Sequence, residues 1–262
     1  EPIEGIEVMI IKKEAIATAI SFGFPIQVTR SDKDFYALLV ANSYLGEHRT
    51  FNGILMQRMR GARGLNYGDY SYIENFIQDG GSTFPVPNIP RRQQFFSVWI
   101  RPVAHANAHF ALRQAIREIQ LMVDNGISQE DFEETRDFLI NYSKLWVQTP
   151  GRRLGYLMDS KFYGIENYID RIEKELSQLT VEQVNEAIRK YLQYDNIKVA
   201  IVTRDAETLK ENLIADKISP IVYQTPGTPQ HILEEDKEIK VYPLNINAEK
   251  SFVVSSQELF EE

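Results

Sequence analysis

Met56-Gln57-Arg58-Met59-Arg60-Gly61-Ala62-Arg63-Gly64-Leu65-Asn66-Tyr67 is the stretch in which the chain changes character. Upstream of its midpoint, residues 51–63 place Ile54, Leu55 and Met59 at helical spacing, and Gly64 is suited to end that helix. Downstream, residues 66–77 carry Tyr67, Tyr70, Tyr72, Ile73, Phe76 and Ile77 with no helical stripe, and read as a strand. Arg58, Arg60 and Arg63 therefore stand near a helix C-terminus, where the macrodipole favours cations. On spacing alone they need no role beyond solvating that end.

Working outward, two β-rich runs precede this corner, at 6–11 and 15–22, separated by the charged turn Lys12-Lys13-Glu14, and Pro25 is expected to end the second. Ser31 with Asp34 resembles a capping box opening a helix whose apolar positions are Phe35, Leu38, Leu39 and Leu45. Beyond the corner, residues 80–90 hold two glycines and three prolines and exclude regular structure. Residues 95–100 (Phe-Phe-Ser-Val-Trp-Ile) form a further strand, expected to pair antiparallel with the one before it. A helical region follows. Its first helix spans 104–125 and stops at Gly126, the next opens at Ser128 with Asp131 and ends by Pro150, and a later one opens at Thr180 with Gln183. Residues 196–203 return to a strand. This order predicts an α+β fold, a mainly antiparallel sheet with helices packed on one face.

From Pro220 the chain differs. Prolines at 220, 226, 229 and 243 punctuate it, residues 230–262 are acid-rich, and short apolar pieces at 239–242 and 252–254 point to a strapped-on extension rather than disorder. The opening Glu1-Pro2-Ile3-Glu4-Gly5 reads like a linker, so the chain is expected to be a piece of a longer polypeptide. Across all 262 residues, 43% are hydrophobic and 25% charged, the composition of a packed domain. Lys and Arg number 29 against 37 Asp and Glu, a net charge of −8 that disfavours a nucleic-acid partner. No apolar run approaches the eighteen or so residues of a membrane span. Cysteine is absent, which removes disulfides and thiolate metal sites and fits an extracytoplasmic, periplasmic setting.

The corner resembles the second half of insulinase-like zinc metallopeptidases, the pitrilysin and mitochondrial processing peptidase type. There Leu/Met-Arg is followed, after several residues, by Leu, any residue and Tyr where helix gives way to strand. This chain has Met59-Arg60, then Leu65-Asn66-Tyr67, with Arg60 and Tyr67 seven apart. The element order fits that half-unit from about residue 6 to 213, so residues 1–219 are taken as the half-unit and 220–262 as the acidic, proline-containing extension. The resemblance implies zinc in the full-length or paired enzyme, bound by a His-x-x-Glu-His helix in an N-terminal half that is the same polypeptide or a separate subunit. It also implies a peptide substrate, with Arg60 and Tyr67 as catalytic and substrate-binding residues that hydrogen-bond the substrate backbone or the oxyanion.

No His-x-x-Glu-His occurs here, so this chain is expected to bind no zinc and to be inactive alone. The alternative is a catalytically inactive scaffold or partner subunit of the same fold; an unrelated peptide-binding module is a third reading. Retention of both Arg60 and Tyr67 favours the first. The four histidines are His48, His105, His109 and His231. His105 and His109, four apart near a helix start, share a face that could hold a metal. They lack an obvious third ligand and a neighbouring Glu, so they read as polar residues of a first turn. His48 reads as exposed loop. Tyr70, Tyr72 and Phe76 could line a peptide cleft, although strand alternation assigns some of them to the core. Arg91, Arg92 and Arg101 read as charged strand ends. No phosphate-cradling glycine loop or nucleophile elbow is present.

Overall fold

The computed structural model describes residues 2–78, 80–224 and 226–260, with Phe260 described by its backbone only. Glu1, at the head of the linker-like opening, and residues 261–262, at the end of the acid-rich tail, lie outside the described residues, as do Asp79 and Thr225.

In β2 (Thr18–Ile26), Ile20, Phe22, Phe24 and Ile26 are buried, while Ser21 and Gly23 are half-buried and Pro25 is exposed. This period of two makes one face of the strand apolar. β5 (Ile197–Thr203) repeats it with Ile197, Val199 and Ile201. Together with β1 (Ile6–Lys12), β3 (Asn66–Tyr72), β4 (Gln94–Val103) and β6 (Phe252–Ser255) they form one sheet among the described residues, ordered β3-β4-β2-β5-β1-β6. Ile20 stands opposite Ile100 and Ile201, and Phe22 opposite Val98 and Val199, so apolar rows run across three strands. Gly23 is required where β2 crosses β4, because a Cβ there would lie 2.0 Å from the Phe96 carbonyl oxygen.

All five expected strands share this sheet, and the fold is α+β. The sheet is mixed, however. The β3–β4, β4–β2 and β2–β5 pairs are antiparallel, whereas β1 runs parallel to both β5 and β6. The reason is topological: β5 slots between β1 and β2, and a strand antiparallel to β2 must run parallel to β1. Two boundaries also differ from expectation. β2 continues through Pro25, because its ladder to β5 stops at Gly23 and the strand beyond has a free edge where a missing N–H is tolerated. β3 ends at Tyr72, where Ile73 turns into the core.

Helix α1 (Lys33–Gly46) packs on β3, α2 (Ala108–Asn125) on β2 and β4, and α7 (Ala206–Ile214) on β1. α3 (Gln129–Leu145), α4 (Pro150–Tyr163), α5 (Tyr168–Gln178) and α6 (Val181–Tyr191) add a further layer through contacts with α1, α2 and each other. The caps follow the sequence signals in α3, where Ser128 accepts from the Asp131 amide, and in α6, where Thr180 and Gln183 form a complete capping box. At α1 the cap position is Asp32, not Ser31. Asp32 accepts from the Thr29 amide and hydroxyl at 2.8 and 3.0 Å, while Asp34 takes Lys190 Nζ and the Tyr191 hydroxyl from α6. On the opposite face of the sheet, Met9, Ser21, Gly23 and Ala200 line an open trough of about 590 Å³.

The segment after Pro220 contributes α8 (Gln230–Ile239), which packs on α2 and buries Ile232 and Ile239, and then β6, which adds to the outer edge of β1. The short α9 (Ser256–Phe260) follows.

Candidate functional site

The helix expected over 51–63 is short and wide. After two α-helical residues, Ile54 and Leu55, residues Met56–Gly61 form a π-helix, with Ala62 N donating to Gln57 O at 2.8 Å. π-helical turns inside α-helices recur at functional sites. The chain then closes sharply. Gly64 adopts φ +60, the left-handed region glycine enters without steric cost, and its N–H donates to Arg60 O at 2.8 Å. Leu65 N donates to Met59 O at 3.1 Å, and β3 begins one residue later.

This reversal brings Arg60 and Tyr67 together. The Arg60 guanidinium carbon lies 4.7 Å from the centroid of the Tyr67 ring, and Nη1 donates to the Tyr67 carbonyl oxygen at 3.1 Å. Phe51 flanks the guanidinium from another side, at 5.3 Å. Tyr67 is 66% exposed and Phe51 68%, so the cluster faces solvent. A guanidinium has five N–H donors and a phenol has one; a single backbone bond leaves most of that capacity unspent.

Below this surface Asp69 is wholly buried, with Oδ1 accepting from the Asn66 side-chain amide and Oδ2 without a hydrogen-bond partner in the protein. Burial pushes its carboxyl up to about 7, against the Asn66 hydrogen bond and the positive charge of Arg60. Neither Asp69 nor Phe51 is among the residues that the sequence singles out. Asp69 lies two residues after Tyr67, and strand alternation alone would have put it on the same face.

The neighbouring arginines are committed elsewhere. The buried Arg63 donates Nε to Asp236 at 2.7 Å and Nη2 to Glu235 at 2.6 Å, both on α8, and Nη1 to the Arg58 carbonyl at 3.0 Å. Arg58 pairs with Glu235 at 2.8 Å and with Glu118 of α2 at 3.5 Å. Among the described residues, Arg60 is the member of the trio without an ion pair.

His48 is buried rather than exposed, correcting the expectation for its loop. Its Nδ1 shares a 2.7 Å hydrogen bond with the Tyr72 hydroxyl, and its ring packs on Tyr70 and Phe76. Burial and the charge of Arg49 push its pKa down to about 4. Tyr70, Tyr72, Phe76 and Trp99 form a cluster apart from the main core; Tyr70 and Tyr72 are only 6% and 5% exposed, and Tyr72 and the half-buried Phe76 border a small pocket of about 50 Å³. Arg101 stacks on Trp99 at 4.4 Å and bonds Gln78, which gives it a packing role beyond charge.

His105 and His109 do not fit a zinc ion. His105 Nδ1 is taken by the Thr18 and Thr203 hydroxyls at 2.8 and 2.9 Å, and Nε2 faces the Ala15 carbonyl at 3.0 Å. Such an Nε2 must carry the proton, and neither nitrogen is left for a metal. His109 is buried, with burial and Arg113 lowering its pKa to about 4, and no group of three His, Cys, Asp or Glu able to hold a metal occurs among the described residues.

Residues 1–139 match the family described as the peptidase M16 inactive domain. No curated protein matches this sequence. Among the solved structures that share its fold are three that illustrate the likeness. The peptidase M16 inactive domain from Pseudomonas fluorescens is similar at TM-score 0.59 and 20% identity, over 76% of this chain and 43% of that one. A protease from Helicobacter pylori is similar at 0.63 and 12% identity, over 78% and 45%. An inactive peptidase domain, assigned to a zinc protease, from Bordetella parapertussis is similar at 0.55 and 12% identity, over 73% and 92%. The chain thus spans less than half the length of the first two and nearly all of the third. With the family matching more than half of the sequence and the helix-to-strand corner in place, this chain belongs to the peptidase M16 inactive-domain family.

Proposed function

We propose that this chain is the non-zinc half of a zinc metalloendopeptidase, in which Arg60 and Tyr67 present hydrogen-bond donors to the backbone, or the developing oxyanion, of a peptide held against a zinc-binding half. The proposal takes residues 1–219 as that half and 220–262 as its extension. The observation that carries it is the Arg60–Tyr67 contact, a guanidinium stacked on an exposed phenol and making no ion pair among the described residues. Peptide hydrolysis builds negative charge on the carbonyl oxygen, and fixed donors aimed at that charge lower the barrier. The charge of Arg60 is held by the stack, so little reorganisation accompanies reaction. Tyr67 contributes its hydroxyl at the outer edge.

The competing reading is a scaffold of the same fold, in which the stack serves packing alone. Tyr67→Phe separates the two, because it deletes only the hydroxyl and leaves the ring under Arg60. Measured with the zinc half present, it should lower kcat by roughly 10²–10³-fold, about 3–4 kcal/mol, with the melting temperature nearly unchanged. Unaltered kcat and kcat/KM in Tyr67→Phe would end the catalytic reading.

A further inference from the structure

The acidic helix α8 has no part in the sheet, yet two of its carboxylates reach the π-helical turn that carries Arg60. Asp236 and Glu235 close on Arg63 at 2.7 and 2.6 Å, and Arg63 in turn donates to the Arg58 carbonyl at 3.0 Å, inside the same turn. The Tyr223 hydroxyl donates to Asp236 Oδ2 at 2.5 Å, which fixes the carboxylate from the far side. Glu235 binds Arg58 at 2.8 Å and Arg117 of α2 at 3.1 Å, so α8 is tied to α2 and to the turn at once. The Arg63 side chain has no exposure, and a bidentate guanidinium at such a site has few alternative geometries.

A π-helical turn is an energetically poor local structure and is kept by its surroundings. Here the grip falls on Arg58 O and on Arg63, and Arg60 lies between them. A small rotation of this turn would swing Arg60 off the Tyr67 ring, and a displacement of about 1 Å at a catalytic group can cost two orders of magnitude in rate.

We infer that α8 is a positioning element for the Arg60–Tyr67 pair: Asp236 and Glu235, acting through Arg63, hold the π-helical turn in the one register that stacks Arg60 on Tyr67. Asp236, Glu235 and Arg63 are thus positioning residues. The inference rests on the catalytic reading of that pair for its consequence, but not for its geometry.

The test uses the full polypeptide together with its zinc half. In Asp236→Asn, hydrogen exchange at the Ala62, Gly64 and Leu65 amides, which close the turn, should quicken by about ten-fold or more, while amides in β1 and β5 keep their rates. kcat should fall about ten-fold or more with KM less affected, and Asp236→Glu should restore part of it. In an Arg60→Ala background, Asp236→Asn should bring no further loss. If Asp236→Asn fails to fold, the triple change Arg63→Met, Asp236→Leu and Tyr223→Phe removes the Arg63–Asp236 pair and its hydroxyl donor together and leaves Glu235 paired with Arg58 and Arg117, while still releasing the turn. Unchanged exchange at Gly64 and Leu65 in either variant would overturn the inference, as would an equal kcat loss with and without Arg60. Should Arg60→Ala alone leave kcat unchanged, the catalytic reading of the pair falls, and the exchange at Gly64 and Leu65 still decides whether α8 holds the turn.

Discussion

Arg60 and Arg63 sit three residues apart on one turn and live in opposite worlds. The Arg63 side chain is fully buried, and two acids from α8 satisfy its charge. Arg60 has no ion pair among the described residues, leans on two exposed aromatic rings, and spends one N–H on a backbone carbonyl. A charge whose partners are built into the fold holds the fold together. A charge that the fold leaves unneutralised at an exposed surface keeps its binding capacity for something else. The same chemical group is structural on one side of the turn and available on the other.

The sharpest way to break this contrast is to remove Arg63. Arg63→Ala leaves Glu235 and Asp236 facing an emptied buried site, and we expect a loss of about 3–5 kcal/mol in unfolding free energy. Chemical denaturation reads it, and a loss below about 1 kcal/mol would mean that the α8 contacts do not hold this corner.

The contrast extends to carboxylates. Glu235 is held below the usual range: burial works against it, but the hydrogen bond and charge of Arg63, with Arg58 and Arg117, prevail. Among the described residues Glu47 is buried without an ion pair, its Oε2 has no protein partner, and burial pushes it up to about 7 from 4.5 despite a hydrogen bond from Ser43. Its folded pKa is raised, so its contribution is fully present below about 4.5 and is lost as pH rises to 7. Glu47→Gln mimics the protonated form at every pH. It should therefore match the parent near pH 4.5 and exceed it by up to about 3 kcal/mol above pH 7. Equal stability of the two proteins at pH 8 would show that Glu47 finds a partner.

The smallest effect sharpens the comparison from the other side. Arg60→Ala removes an exposed stacking contact and should cost about 0.5–1 kcal/mol of stability, well below Arg63→Ala. A melting temperature as low as that of Arg63→Ala would place Arg60 among the structural charges.

Much of the fold was legible because its signals are local. The alternation in 15–22, 95–100 and 196–203 marked strands, and Ser128–Asp131 and Thr180–Gln183 marked helix starts that the structure uses. The corner was legible as well, since seven residues and two glycines suffice to bring Arg60 to Tyr67. The π-helical winding was not, because Ile54, Leu55 and Met59 suit either helix and the choice lies in packing. His48 was misread for the same kind of reason: nothing in Glu47-His48-Arg49 shows that β3 and Phe76 will cover it. Nor could the order of strands be read, because insertion of β5 beside β1 pairs residues some 190 positions apart.

The sequence by itself determined the α+β class, written in short-range periodicity, and the seven-residue spacing of Arg60 and Tyr67, and it carried the resemblance to the family that the match over residues 1–139 shows. Only the tertiary structure decided which arginine is spent in ion pairs and which, half-buried under two exposed rings, is left without one among the described residues. Arg63 meets Asp236 across 173 positions of chain. A charge is committed or available according to what folding brings within about 3 Å of it, and that distance has no local trace in the sequence.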